Sequence, residues 1–258
     1  MRDLLIKGKN EFGVVSVKAE FEAEGTRMDE LLRLVDISRS AGLELTVKIG
    51  GCEAVRDLLE AKQIGVKYVV APMVETPYAL SKYISAKNAV FDSEELEDTE
   101  FLFNLETITG FNNLTEMVRV ASATKGAQGL VFGRVDFAGS LGKSREEING
   151  KEITEMVSTA AQHAKDSNLD FVMGGAVSSD SLHVIREVAS IHLTRFETRK
   201  IVFSGSATTV NNIEQGLVNA VHFELLWLLN KREYYGRITA EDSKRIEMLE
   251  SRWQLLKN

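Results

Sequence analysis

Phe101-Leu102-Phe103-Asn104-Leu105-Glu106 and Gly129-Leu130-Val131-Phe132-Gly133-Arg134-Val135-Asp136 are two short apolar runs, each followed at once by a carboxylate. A run of five or six apolar residues with turn-forming residues on either side reads as a strand buried on both faces, which is the habit of parallel sheets. A carboxylate just past such a strand sits where parallel α/β proteins gather their functional groups. Working outward, similar runs lie at Val14 to Glu20, Leu43 to Ile49, Val66 to Ala71, Asp170 to Gly174 and Arg199 to Ser204. Between them the apolar residues change to helical spacing. These stretches are Met28 to Ser40, Glu53 to Lys62, Pro77 to Ser85, Asn113 to Ala123, Ile148 to Ala164 and Ser181 to Ala189.

Strand-helix alternation over most of the chain implies a parallel sheet with right-handed crossovers, an α/β protein of the TIM (β/α)8-barrel type. Seven strands are legible. The eighth is expected in Lys7 to Gly13 or Asn88 to Asp92, or is absent. No linker or change of composition divides the chain, so residues 1–258 read as one barrel domain, with 236–258 as a C-terminal helical extension. The C-terminal stretch as a whole is expected to form two helical parts, Val210 to Asn230 and Ala240 to Lys257, joined at Tyr235-Gly236-Arg237. The second carries Ile246, Leu249, Trp253 and Leu256 on one stripe, which docks either on the chain's own barrel or on another subunit. Helix starts are marked by Thr26 ahead of Asp29 and by Thr76-Pro77.

The bulk properties exclude several classes of function. The 258 residues carry a formal charge of -7, which speaks against nucleic acid as a partner. No apolar run reaches the roughly 18 to 20 residues that span a bilayer, and the N-terminus lacks the core of a signal peptide. One cysteine, Cys52, and four histidines speak against a His/Cys zinc site and fit a reducing, cytoplasmic setting.

The strand ends carry the chemistry. Period-two alternation places Lys18, Glu20, Glu22 and Glu24 on one face of the first strand, either a solvated edge or the inside of a barrel mouth. Lys48 ends the second strand ahead of Gly50-Gly51. It reads as a solvated cap or as a contact for an anionic ligand. Glu75 fits a helix N-terminal acid. Glu106 and Asp136 are either two helix-capping acids or a pair able to hold one hard divalent cation, Mg2+ or Mn2+, with water and a chelating 2-oxo acid in the other positions.

With those residues placed, Ala71-Pro72-Met73-Val74-Glu75-Thr76, Leu105-Glu106-Thr107 and Val131-Phe132-Gly133-Arg134-Val135-Asp136-Phe137-Ala138-Gly139-Ser140-Leu141-Gly142 resemble the HpcH/HpaI aldolase and citrate lyase β-subunit family. The resemblance runs in order from about Val14 to Gly205. It implies a phosphoenolpyruvate/pyruvate-type TIM barrel whose first β/α unit is shortened or missing here. It also implies a metal-dependent carbon-carbon lyase working through an enolate. Glu106 and Asp136 fall on the family's metal-binding carboxylates, and the backbone of Gly133, Arg134 and Val135 falls where the family binds a substrate carboxylate. Two positions depart from the pattern. Lys48 stands where an arginine is usual, and no histidine base precedes His163, which leaves Glu22 or Glu20 to handle the proton. Arg134 is expected to add a positive contact for the substrate. Two other readings stand beside the metal lyase: a Schiff-base aldolase using Lys48 or Lys18, and a non-catalytic ligand-binding barrel. The partners expected are a small carboxylate substrate and further copies of the chain, joined through the C-terminal helices.

Overall fold

In the computed structural model, which describes residues 1–257, eight strands close into one barrel in the order of the sequence. They are β1 Val14–Glu20, β2 Glu44–Lys48, β3 Tyr68–Ala71, β4 Glu100–Leu105, β5 Gly129–Gly133, β6 Asp170–Gly174, β7 Arg195–Glu197 and β8 Ile201–Ser204. The helices are α1 Arg2–Phe12, α2 Met28–Ser40, α3 Val55–Ile64, α4 Pro77–Val90, α5 Glu95–Asp98, α6 Ile108–Asn112, α7 Leu114–Ala121, α8 Arg134–Ser140, α9 Lys151–Asp166, α10 Leu182–Ile191 and α11 Ile213–Lys257.

Alternation along the strands sorts side chains between two environments. In β4, Phe101, Phe103 and Leu105 join the large core between barrel and helices, while Leu102 points to the inside with Val70, Val131 and Val172. In β2, Leu45 and Val47 belong to the outer core and Thr46 meets Ser16 of β1 with 2.6 Å between their hydroxyls. Each wholly buried phenylalanine contributes about 1.5–3 kcal/mol of transfer free energy, so the outer core holds the strands and leaves the inward positions near the mouth free for polar groups.

The seven strands read from sequence are all present. The eighth lies neither in Lys7 to Gly13, whose first six residues end α1, nor in Asn88 to Asp92, which closes α4. It is β7, three residues long, and its run Arg195-Phe196-Glu197 is too short and too polar to register as a strand. β7 and β8 form a hairpin through Thr198, where Ile201 N–H donates to the hydroxyl. β8 therefore runs antiparallel to both β7 and β1, which corrects the expectation of a wholly parallel sheet. A two-stranded turn needs no crossover helix, and this is how the barrel closes with little chain.

Two further expectations change. Thr26 does not cap α2: the N-cap is Arg27, and the Thr26 hydroxyl turns to Glu24. The C-terminal region is one helix of 45 residues, not two, because Gly236 lies on an exposed helical face and does not interrupt it. Thr76 caps α4 as read, its hydroxyl accepting from Ala79 N–H at 3.1 Å. No helix among the described residues is long and apolar enough to cross a membrane.

Candidate active site at the barrel mouth

The inward register of β1, β2, β4 and β7 brings Lys18, Glu20, Lys48, Asn104 and Glu197 together near the C-terminal end of the barrel, with Glu22 and Glu106 just above. All except Glu22 are buried. Charges with so little solvent need partners. Lys48 Nζ lies 2.9 Å from Glu22 Oε2 and 3.6 Å from Glu106 Oε1. Lys18 Nζ lies 2.5 Å from Glu197 Oε1 and 3.2 Å from Glu20 Oε1. Above them Lys200 and Arg199, at the tip of the hairpin, pair with Glu24.

Glu106 continues the inward alternation of Leu102 and Asn104, and this decides its role. It does not cap the helix that follows; Thr107 does, accepting from Gly110 N–H. Its Oε1 accepts from Met73 N–H at 2.9 Å and its Oε2 from Asn104 Nδ2 at 2.7 Å. Gly133 lies directly against it: a Cβ there would stand 2.7 Å from Glu106 Oε2, so a larger residue would displace the carboxylate. Burial pushes the Glu106 carboxyl above the usual carboxylate range, opposed by Lys48, and the nearby negative charge of Asp136 pushes it the same way. Asp136 sits in the first turn of α8 and is exposed.

Burial works against both lysine ammoniums, yet their carboxylate neighbours outweigh it. Lys48 is raised by Glu106 and Glu22, and Lys18 by Glu197 and Glu20. Burial also pushes Glu20 up, but Lys18 and Lys48 together hold its carboxyl below the usual range. The site therefore presents protonated amines and a firmly ionised Glu20. An amine in that state is a poor nucleophile.

The side chain of Arg134 departs from expectation. It is wholly buried, and its guanidinium donates to Gly174 O at 3.2 Å, Gly175 O at 2.7 Å and Asn149 Oδ1 at 2.8 Å. It ties the ends of β5 and β6 together and is not free to meet a substrate. Burial lowers its pKa to about 10. What remains at this position is backbone. Gly175, at φ +81°, has no side chain to lie over the amide nitrogens of Arg134 and Val135, which a Cβ would approach to 2.7 Å. Glu75 keeps no partner in the cluster. Arg195 is half-buried at the opposite end of the barrel, 2.7 Å from Asp170 Oδ2 and with its guanidinium 4.2 Å from the Tyr68 ring centroid, so it closes the base.

Glu197 and Asn104 join the site without having been among its sequence candidates. Asn104 had the right parity within β4, and that signal was available. Glu197 had none, since its strand was not recognised. A divalent cation fits the donors that are present. Glu106 and Asp136 supply hard oxygens at the ends of adjacent strands, and Asn104 Oδ1 is a buried acceptor with no hydrogen-bond partner among the described residues. No group of three or more His, Cys, Asp or Glu residues is gathered for a metal among the described residues, so only the two-carboxylate arrangement comes into question.

The fold has many solved counterparts. An HpcH/HpaI aldolase from Desulfitobacterium hafniense DCB-2 superposes with a TM-score of 0.60 at 13% identity, covering 76% of this chain and 82% of that one. An HpcH/HpaI aldolase/citrate lyase family protein from Burkholderia cenocepacia J2315 gives 0.59 at 13% identity, covering 88% and 99%. The citrate synthase SbnG gives 0.61 at 13% identity, covering 91% and 89%. At such identities the likeness is one of fold. No curated protein matches the sequence. The HpcH/HpaI aldolase/citrate lyase family model matches residues 15–202, from the first strand to the strand that closes the barrel, and the chain belongs to that family.

Proposed function

We propose that this protein is a divalent-metal-dependent carbon-carbon lyase of the aldolase type, acting on a 2-oxo acid or related carboxylate through an enolate. The observation that carries the reading is the Lys48 ammonium held between Glu22 and Glu106 at the mouth, with Asp136 near enough to Glu106 for its charge to act on that carboxyl. Glu106 and Asp136 would hold Mg2+ or Mn2+. Bound there, the ion supplies Lewis acidity toward a ketone oxygen.

The chain's own groups complete the chemistry. The backbone amides of residues 133–135 receive the substrate carboxylate. The Lys48 ammonium offers N–H donors to the negative charge that grows on the enolate oxygen, a contact stronger in the transition state than in the ground state. Glu22, in contact with Lys48 and only half-buried, receives and returns the proton. Glu20, kept ionised by two lysines, orders Lys18 and Lys48. The protonated state of both lysines disfavours the Schiff-base alternative. A cytoplasmic setting belongs to the same reading, with Cys52 as a free thiol.

The test is deuterium exchange at C3 of pyruvate followed by NMR, which reports enolate formation without knowledge of the second substrate. Exchange is expected with Mg2+ or Mn2+ and lost in EDTA. Calorimetry should show metal affinity falling in Glu106→Ala and in Asp136→Ala. Exchange that survives EDTA, or undiminished metal affinity in both variants, overturns the reading. Metal binding without exchange or turnover on any 2-oxo acid or acyl-CoA thioester would favour a ligand-binding barrel.

A further inference from the structure

Helix α11 lies beyond the residues that match the family, and it carries a second apolar face. One face is buried against the barrel through residues such as Leu217, Ala220, Phe223 and Trp227. About 100° round the helix, Val218, Val221, Leu225 and Leu228 are 52% to 63% exposed. From Gly236 to Lys257 every residue is exposed, including Ile246, Leu249, Trp253 and Leu256. A helical arm with no tertiary packing is marginal in water, so this one requires a partner.

The two exposed sets are one feature. From Val218, steps of three and four residues alternate without a break to Leu256, passing through Arg232, Tyr235, Thr239 and Asp242. That is a heptad seam over about 57 Å of helix. It is apolar at both ends and polar in the middle.

We propose that this seam pairs two copies of the chain as an antiparallel two-stranded coil of their α11 helices. Reversal about Arg237 sets Val218 opposite Leu256, Val221 opposite Trp253, Leu225 opposite Leu249 and Leu228 opposite Ile246. The same register brings Arg232 of one copy to Asp242 of the other, twice per dimer. Neither residue has an ion-pair partner within the chain among the described residues. A parallel pairing would oppose Arg232 to Arg232 and Asp242 to Asp242, so the charge pattern selects the antiparallel alignment. Tyr235 remains with its own chain, its hydroxyl bonded to Glu30 in the first turn of α2. The midpoint of the coil therefore lies level with the barrel mouth, and the two mouths face one another across it. A straight helix drifts by about 20° per heptad against this repeat, which a gentle left-handed supercoil absorbs.

The 258-residue chain should be a dimer by light scattering and sedimentation at micromolar concentration. Arg232→Glu should weaken association by at least about tenfold, because it opposes two carboxylates, and Arg232→Glu with Asp242→Arg should restore it. These positions are exposed, so circular dichroism should show both variants folded. In a Cys52→Ser background, mixing a Leu228→Cys chain with an Ile246→Cys chain should give a heterodimer with a short bis-maleimide, while neither cross-links to itself. A monomeric wild type, cross-linking of Leu228→Cys to itself, or failure of the double charge swap to restore association would overturn the proposal.

Discussion

Lys18 and Glu197 meet at 2.5 Å between Nζ and Oε1, although 179 residues separate them in the chain. The contact joins the first strand to the hairpin that closes the barrel and stands beneath the Lys48–Glu22 pair. Its energetic meaning follows from burial. A buried ammonium left with one carboxylate, Glu20 at 3.2 Å, loses much of its compensation.

Glu197→Gln should therefore destabilise the fold by about 3 kcal/mol, the low end for breaking a buried pair, because Glu20 remains. Urea unfolding with an unchanged m-value measures this. A loss below a few tenths of a kcal/mol would show that Glu20 alone compensates Lys18.

Lys48→Met should lower the rate of pyruvate deuterium exchange by about 10² to 10³-fold, the usual loss for one donor to a developing oxyanion. Lys48→Arg should recover part of it, since the charge stays while the donor geometry changes. Metal affinity measured alongside separates the two roles. A Lys48→Met enzyme with full exchange and tighter metal binding would make Lys48 only a counter-ion of Glu106.

Arg134→Lys should cost at least about 2 kcal/mol of stability, since one ammonium cannot reproduce the guanidinium fork that reaches Gly174 O, Gly175 O and Asn149 Oδ1. Substrate binding should weaken only through the displaced loop, so KM and thermal stability should move together across Arg134 variants. A KM change with an unaltered Tm would return the side chain to direct substrate contact.

Lys87 provides a test by pH. It is buried, and burial, helped by Lys125, lowers its pKa from the ordinary 10.5 to about 8. Between these values the unfolded chain binds the proton that the folded chain has released. Stability from this group therefore rises as pH climbs from 8 to 10.5 and is lost as pH falls through the same window. Lys18, raised above its ordinary value, adds a contribution that is full below 10.5 and lost only above it. Wild type should thus gain stability from pH 8 to 10.5 relative to Lys87→Met. Parallel curves for the two proteins would refute the shift.

Much of the site was legible because it depends on local parity. Once Phe101, Phe103 and Leu105 are read as one face of a strand, Asn104 and Glu106 must share the other, and the same logic places Lys18 with Glu20 and sets Lys48 inward. The acids that could have been mere helix caps are separated only by looking at the turn, where Thr107 takes the cap and frees Glu106. Arg134 shows the limit of that reading. Its position at a strand end was plain, but its side chain is spent on carbonyls of a loop some 40 residues away.

Element order, strand-end carboxylates and the heptad spacing of α11 are written in the sequence, because each follows from the period of neighbouring side chains. The partner of Lys18, the burial of Arg134 and the antiparallel last strand are not. Each arises from closure of the barrel, which brings distant segments together and forces a three-residue stretch with little strand character of its own to complete the ring.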